Sequence, residues 1–150
     1  MMMADYAVTD QLGKLHVVGG GLQLINRDHN SGQTAAFALV VTLVFPAEVF
    51  QEQYVFEVVL EDAAGNPVQV PSGVIRFAQN LTVDEPNLSR SGVPRRTLPA
   101  QTSVVLFFNT GLPLPPGQPL AWRARLDGES RPEWVQRFFV PGPRPAPVIG

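Results

Sequence analysis

The sequence predicts an all-β protein, an antiparallel β-sandwich of about seven to nine short strands. Apolar and polar residues alternate with a period of two in several segments, and Gly- and Pro-containing turns separate these segments at regular spacing. None of the segments has a convincing helical pattern. A chain of 150 residues fits one domain that buries its core without disulfides. We assign residues 1–140 to this domain and residues 141–150 to a proline-rich, extended C-terminal arm.

The best-defined hairpin is expected near the C-terminal end of the domain. Residues 120–126 alternate, with Trp122 on the apolar face and Arg123 on the polar face. Asp127-Gly128 tolerates the positive φ angles of a tight turn, and residues 134–140 then return as the second strand.

Further strands are predicted at residues 3–9, 15–25, 35–45, 54–61, 68–77 and 104–108. The first two are expected to pair around a turn at residues 10–13. The strand at 54–61 is expected to pair with 68–77 around the turn at residues 63–67. Pro46 ends the long apolar run at residues 35–45.

Three consecutive glycines, Gly19 to Gly21, follow an apolar run and raise the question of a phosphate-binding loop. Such a loop leads into a helix whose N-terminal amides face the anion. Here the following residues alternate like a strand, and the spacing is not Gly-x-Gly-x-x-Gly. The glycines therefore predict a bend or bulge where a sheet folds over.

Two predicted strands, residues 35–45 and 104–108, are apolar on both faces, whereas the outer face of a two-layer sandwich is usually polar. The side chains expected on this outer face are Ala36, Ala38, Val40, Val44, Val105 and Phe107. One interpretation is that a loop or the C-terminal tail of the same chain covers them. The other is a protein–protein interface, in the simplest case a symmetric dimer packed sheet to sheet. A ligand cleft is a third alternative.

Residues 78–100 have no periodicity and are expected to form a long loop. Its arginines, Arg90, Arg95 and Arg96, either solvate the loop or contact an anionic partner. An alternative function is therefore a small-molecule or carbohydrate-binding module that uses this loop with Trp134. Trp122 lies on the apolar face of its strand and is expected in the core.

Residues suited to catalysis or metal binding are few. His16 is expected on a sheet face, and His29 beside Asp28 lies in a segment rich in turn-forming residues. Glu57 and Glu61 share one strand face, as surface residues commonly do, and a Gly-x-Ser-x-Gly nucleophile motif is absent from the sequence. We therefore expect no catalytic site, no cofactor and no metal.

Composition narrows the classes of partner. The net charge is −2 and Lys14 is the only lysine, which argues against nucleic-acid binding. No apolar run reaches the length of a membrane span, and the N-terminal residues do not resemble a secretory signal. The chain contains no cysteine, which suits a reducing compartment, and we expect a cytoplasmic protein without membrane contact.

Three segments together carry a family resemblance: GKLHVVGGG (13–21), LPLPPG (112–117) leading to Trp122 and to LDGE (126–129), and FFVP (138–141). They are similar to segments of an uncharacterised family of small bacterial, mainly actinobacterial, proteins. This resemblance implies an immunoglobulin-like sandwich and carries no activity. The expected function is thus non-enzymatic: protein binding or self-assembly, as a homo-oligomer or as a component of a larger bacterial or phage-derived assembly.

Overall fold

A computed structural model describes residues 1–28, 30–88 and 91–143 and contains eleven strands and one 3-10 turn within these ranges. The strands are β1 (Met2–Ala4), β2 (Tyr6–Thr9), β3 (Leu15–Val18), β4 (Phe37–Phe45), β5 (Gln53–Glu61), β6 (Gln69–Val70), β7 (Gly73–Val74), β8 (Arg76–Thr82), β9 (Ala100–Phe108), β10 (Pro119–Leu126) and β11 (Val135–Phe139). The 3-10 turn, Ala47–Val49, follows Pro46 and joins β4 to β5.

Two antiparallel sheets face each other. One has the order β1-β4-β9 and the other β11-β10-β5-β8, the three-plus-four arrangement of many immunoglobulin-like sandwiches. The predicted all-β sandwich is confirmed. The sandwich itself contains seven strands, and two small hairpins, β2–β3 and β6–β7, account for the excess over the predicted seven to nine.

The core lies between the inner faces of these sheets. Strand β4 contributes Phe37, Leu39 and Val41, all almost completely buried, because alternate residues of a strand point to the same side. Trp122 stacks between Phe108 and Phe138, with ring centroids 5.6 and 6.4 Å away. Trp122 is 1% exposed, as predicted for a core residue. Each such side chain contributes roughly 1.5–3 kcal/mol through its burial.

The N-terminal residues 3–9 do not form one strand. Asp5 interrupts them, so that β1 pairs with β4 while β2 pairs with β3 in a separate hairpin. This β2–β3 hairpin packs on the outer face of the three-stranded sheet. Ala7 is buried there, with Leu15 and Val17 of β3 beside it. The sequence predicts one strand across Asp5, because apolar and polar residues continue to alternate there. The passage of the chain from the three-stranded sheet to the outer hairpin depends on tertiary packing, which the alternation does not reveal.

The three glycines form a bend, as predicted. Gly19 and Gly21 have φ values of +64° and +89°, and the amide of Gly21 donates to the carbonyl of Met3 at 2.8 Å. The chain then crosses to the other sheet, where the amides of Ile25 and Phe139 donate to the carbonyls of Phe139 and Gln23 at 3.1 and 2.8 Å. Residues 15–25 are therefore two short extended pieces joined by a bend.

The C-terminal hairpin agrees with its prediction. Strands β10 and β11 pair from Pro119↔Phe139 to Arg123↔Val135. Asp127 and Gly128 have φ values of +50° and +82°, the left-handed conformations of a two-residue type I′ turn.

The predicted boundary between a strand at 68–77 and a loop at 78–100 is wrong. Strand β8 runs to Thr82 and pairs with β5 from Val59↔Arg76 to Gln53↔Thr82. Ala78 and Asn80 are of residue types with low strand propensity, and pairing with β5 outweighs it. Residues 68–75 contribute the β6–β7 hairpin, and the described parts of the connection from β8 to β9, residues 83–88 and 91–99, contain no strand.

The residue after β11 still belongs to the core. Val140 is fully buried, and its carbonyl accepts a hydrogen bond from the amide of Gly117 at 2.8 Å. Most of the predicted C-terminal arm, residues 144–150, lies outside the described residues.

We predict that Gly111→Ala destabilises the fold strongly. Gly111 has a φ of +69°, and an added methyl would collide with the carbonyl of Thr34. The conformational cost and the clash together give a loss of roughly 2–5 kcal/mol in the free energy of unfolding. The matched control is Gly117→Ala, at a φ of +77° with open space around it, which should lose about 1 kcal/mol. Urea denaturation measures both losses, and equal losses would contradict the predicted collision.

Candidate functional site

The predicted interface residues of β4 are covered by their own chain. Ala38 and Val40 are almost completely buried, and the β2–β3 hairpin packs over them through Ala7. The expectation that a neighbouring chain contacts these two residues is therefore wrong. Their small volume lets a third layer lie directly on the sheet, and this layer removes them from water.

The other predicted interface residues do not form one patch. Ala36 precedes β4 and is exposed. Val44 is exposed, and a polar pair, Thr42 and Ser103, separates it from Val40. The hydroxyl oxygens of this pair lie 3.3 Å apart. A continuous apolar surface from Ala36 to Val44 is therefore absent.

Val105 and Phe107 lie at the border of the covering hairpin. Val105 packs against it and is half-buried. Phe107 is 44% exposed and makes an edge-to-face contact with Tyr6, with ring centroids 5.4 Å apart. Phe107 is thus the predicted interface residue that remains both aromatic and accessible.

An apolar surface does exist, one layer further out. Tyr6 and Val8 of β2 point away from the sandwich, because Ala7 between them points inward. Val18 pairs with Tyr6 across the hairpin and is 63% exposed. We call Tyr6, Val8, Val18 and Phe107 the hairpin face. The position of the hairpin as an outer layer, which the sequence does not reveal, places Tyr6 beside Phe107.

The arginines of the long loop bind the loop to itself and to the sandwich. Arg95 makes two hydrogen bonds to the carboxylate of Glu85, at 2.6 and 3.3 Å. Arg96 donates to the carbonyl of Ala47 at 3.0 Å, and its guanidinium lies 5.9 Å from the ring centroid of Phe50. Arg90 lies outside the described residues. Arg95 and Arg96 therefore have partners within their own chain, which is neither the simple solvation of the loop nor the contact with an anionic partner that the sequence suggested.

Trp134 and the loop are not brought together at a described cavity. Trp134 borders a cavity of about 120 Å³ between the sheets, lined by inner-face residues such as Leu43 and Phe56. The guanidinium of Arg131 lies 5.1 Å from its ring centroid. The clefts beside Arg95 and Arg96 have other linings. None of these three cavities, as lined by the described residues, combines Trp134 with Arg95 or Arg96.

An ion-pair network covers the outer face of the four-stranded sheet. Arg123 Nε donates to Glu61 Oε2 at 2.7 Å, and Arg125 Nη2 donates to Glu61 Oε1 at 3.1 Å. Arg125 also reaches Glu57, which forms a further ion pair with Arg76. Glu61 is 3% exposed, so two guanidinium groups compensate its charge where water does not reach it. Both glutamates are thus engaged as acceptors, and neither is a free carboxylate.

His16 and Asp28 have structural partners. His16 lies on β3, and its Nε2 is 3.2 Å from Asp10 Oδ2, a contact that lowers the pKa of Asp10. Asp28 lies in a turn in which its carboxylate accepts from the amide of Asn30 at 2.8 Å. His29 lies outside the described residues. Across residues 1–28, 30–88 and 91–143, no group of three potential metal ligands occurs, and no helix there is long and apolar enough to cross a membrane.

We predict that Glu61→Gln destabilises the protein by about 2 kcal/mol. The substitution leaves two partly buried guanidinium groups without their shared counter-charge. Glu129→Gln, at an exposed position in the β10–β11 turn, is the control and should change the free energy of unfolding little. Urea denaturation measures the free energy of unfolding of both variants. An unchanged value for Glu61→Gln would show that the network adds no stability.

We predict that Glu85 titrates below 4.5. The hydrogen bonds from Arg95 lower the pKa of Glu85 from its ordinary value of 4.5. The folded protein stabilises the ionised carboxylate of Glu85. The ion pair between Glu85 and Arg95 is therefore complete above pH 4.5 and is lost as the pH falls through the lowered pKa of Glu85.

Carboxyl chemical shifts followed by NMR measure the midpoint of Glu85. Arg95→Ala should raise this midpoint toward 4.5, whereas Arg131→Ala, which removes a guanidinium elsewhere, should leave it unchanged. A wild-type midpoint at or above 4.5 would contradict the assignment.

Comparison of the chain with protein-family models, with curated proteins and with solved structures finds no match.

Proposed function

We propose that this chain is a non-enzymatic, protein-binding β-sandwich that associates first with a second copy of itself through the hairpin face. The observation that carries the proposal is the accessible apolar group formed by Tyr6, Val8, Val18 and Phe107. Scattered apolar residues on a surface are ordinary, but here Tyr6 contacts Phe107, pairs with Val18 and shares a strand face with Val8, and contiguous apolar surface is often functional.

The composition of the hairpin face supports an interaction surface. Two of its four side chains are aromatic, and aromatic residues are enriched at the centres of interfaces. His16 lies opposite Val8 on the neighbouring strand and contacts Asp10, which gives this side of the face a polar border. An apolar centre with a polar rim is the usual arrangement of a protein–protein interface.

A second copy is the partner we favour, because a two-fold interface uses the same patch on both subunits and so doubles the apolar area that it covers. The net charge of −2 gives only weak repulsion between two copies. A component of a larger bacterial or phage-derived assembly is an extension of the same proposal. The cytoplasmic location stays a prediction.

The carboxylates that could have formed a hydrolytic pair are used structurally, which supports a non-enzymatic function. Glu57 and Glu61 are each held by arginine side chains on a sheet surface.

We predict that Val18→Glu converts the self-associated protein to monomer. A charge in the middle of a two-fold apolar contact is desolvated and meets its own copy across the axis, which disfavours association strongly. Val18 is exposed, so the fold should be retained. Sedimentation velocity at sub-millimolar concentration measures the association state, and thermal unfolding followed by circular dichroism checks the fold.

Val55→Glu is the matched control. Val55 is 48% exposed and lies on the outer face of the four-stranded sheet, on the opposite side of the sandwich. The Val55→Glu variant should associate as the wild type does. A wild type that is monomeric at sub-millimolar concentration, or a Val55→Glu variant that dissociates equally, would overturn the proposed interface.

A further inference from the structure

Strand β9 forms an open edge of the three-stranded sheet. Over the part of the chain that the structure describes, it pairs only with β4, from Phe37↔Phe108 to Phe45↔Ala100. Alternate residues of an antiparallel strand point their backbone groups to opposite neighbours, so every second residue of β9 points these groups away from β4. Outside the ladder with β4, the one backbone hydrogen bond of β9 within the described ranges is the turn contact at 3.0 Å from the Gly111 amide to the Phe108 carbonyl. The other outward-pointing amides and carbonyls are a template for a further strand.

The β9 edge lacks the features that usually protect an open edge. It is nine residues long, its sequence AQTSVVLFF contains no charged residue and no proline, and its register with β4 runs without a bulge. Natural sheets protect their edges with short strands, charges, prolines or bulges, because an unprotected edge pairs with other chains. The neighbouring edge strand β8 is shorter, with seven residues, and begins with Arg76. β9 is therefore the better acceptor of the two.

An apolar cleft of about 300 Å³ lies beside this edge, between β9 and β8. Its lining includes Phe77 of β8 and Leu106 and Phe108 of β9. Phe77 pairs with Val58, which is fully buried in the core. Leu106 pairs with Leu39, which is also fully buried. Because directly opposed residues of neighbouring strands share one face, the side chains of Phe77 and Leu106 point to the space between the sheets.

The sandwich is less closed at this side than at its centre. Phe77, Leu106 and Phe108 are only partly buried, although they pack against the core. Leu39 and Leu60, on the central strands β4 and β5, are fully buried. The three-stranded sheet is one strand narrower than its partner, so a strand added beside β9 would give both sheets four strands. Such a strand would cover the apolar side chains that the cleft leaves partly open.

The edge and the cleft together specify the chemistry of what binds there. The unpaired backbone groups require an extended polypeptide, because a strand offers donors and acceptors at the matching spacing. The cleft requires apolar side chains at every second position, since alternate residues of the added strand point between the sheets. A second copy of the chain would approach with two sheet edges at once, so that its β8 would have to fit against β8 of the first. A single extended segment has to fit only β9.

We propose that the β9 edge and the adjoining cleft bind an extended, uncharged segment of a partner protein by strand addition. The backbone of the segment continues the three-stranded sheet, and its alternate apolar side chains enter the cleft. Phe107 pairs with Ala38 and so points to the outer side of the sheet, where it contacts Tyr6. The strand-addition site therefore lies next to the hairpin face and does not use it.

The test uses the full chain and three peptides, each acetylated and amidated. The peptide KTVTVTVTK alternates valine with threonine, KTTVVVTTK has the same composition without the alternation, and KTSTSTSTK alternates without valine. Binding and hydrogen exchange are followed in ¹H–¹⁵N NMR spectra. The Val18→Glu variant serves as the background, so that self-association through the hairpin face does not affect the titration.

We expect KTVTVTVTK to slow the hydrogen exchange of the β9 amides that point away from β4, because these amides acquire strand partners. The same peptide should bind about tenfold more tightly than either control peptide, since each control places fewer valines in the cleft.

A substitution in the cleft tests the lining separately from the edge. Phe77→Ala should weaken the binding of KTVTVTVTK about tenfold, because it removes apolar surface that the peptide covers. Leu43→Ala is the matched control, since Leu43 is also partly buried but lines a different cavity beside Trp134. It should leave the affinity unchanged. Thermal unfolding followed by circular dichroism checks that both variants are folded.

Three results would overturn the proposed site or its occupant. Unchanged exchange of the β9 amides at millimolar KTVTVTVTK would contradict strand addition, and equal binding of the three peptides would contradict a role for the cleft. A Val18→Glu variant that still self-associates with its outward β9 amides protected would assign the edge to a second copy. A monomeric wild type, in contrast, would contradict only the hairpin face and leave the peptide titration intact, so the two proposals fail separately.

Discussion

The packing of the β2–β3 hairpin on Ala38 and Val40 determines how the rest of the surface is organised. Both side chains of β4 are small enough for another strand layer to approach closely, and Ala7 fills the contact from the other side. With this layer in place, the three-stranded sheet is buried on both faces over that part of its length. The apolar character of residues 37–41 is therefore satisfied within one chain. The outer side of the hairpin is the apolar surface that this layer leaves exposed, through Tyr6, Val8 and Val18.

The parts of the fold that rest on local sequence signals could be predicted, whereas the parts that rest on pairing between distant strands could not. The β10–β11 hairpin was predictable, because its alternation and its Asp127-Gly128 turn are local signals. The end of β8 was not, because Ala78, Gln79 and Asn80 belong to the strand only through pairing with β5. The glycine bend was recognised from residues 19–21, yet its purpose, to carry the chain from one sheet to the other, depends on contacts with Met3 and Phe139.

In the candidate sites, too, the sequence indicates individual residues, whereas their neighbours depend on tertiary packing. Period two identified Phe107 as an outward-facing aromatic residue, and the structure adds Tyr6 as its neighbour from a part of the chain about a hundred residues earlier. The sequence marks Ala38 and Val40 as needing cover but contains no signal for which polypeptide supplies it. Trp122 was recognised as a core residue, whereas its unpaired indole N–H depends on the positions of all the atoms around it. Arg95 and Arg96 form contacts that their positions in a loop of low periodicity do not reveal.

The bridge between Leu24 and Phe139 has a consequence for biosynthesis. These residues are separated by most of the chain, and strand β1 likewise waits for β4 and β9 before its sheet is complete. Contacts of such long sequence separation slow folding, because a large loop must close before they form. During translation, the first twenty-five residues leave the ribosome long before the strand that they will border. The extended piece that ends at Ile25 therefore waits for β11 before it is fixed, whereas the β2–β3 hairpin can pack once β4 and β9 have been made.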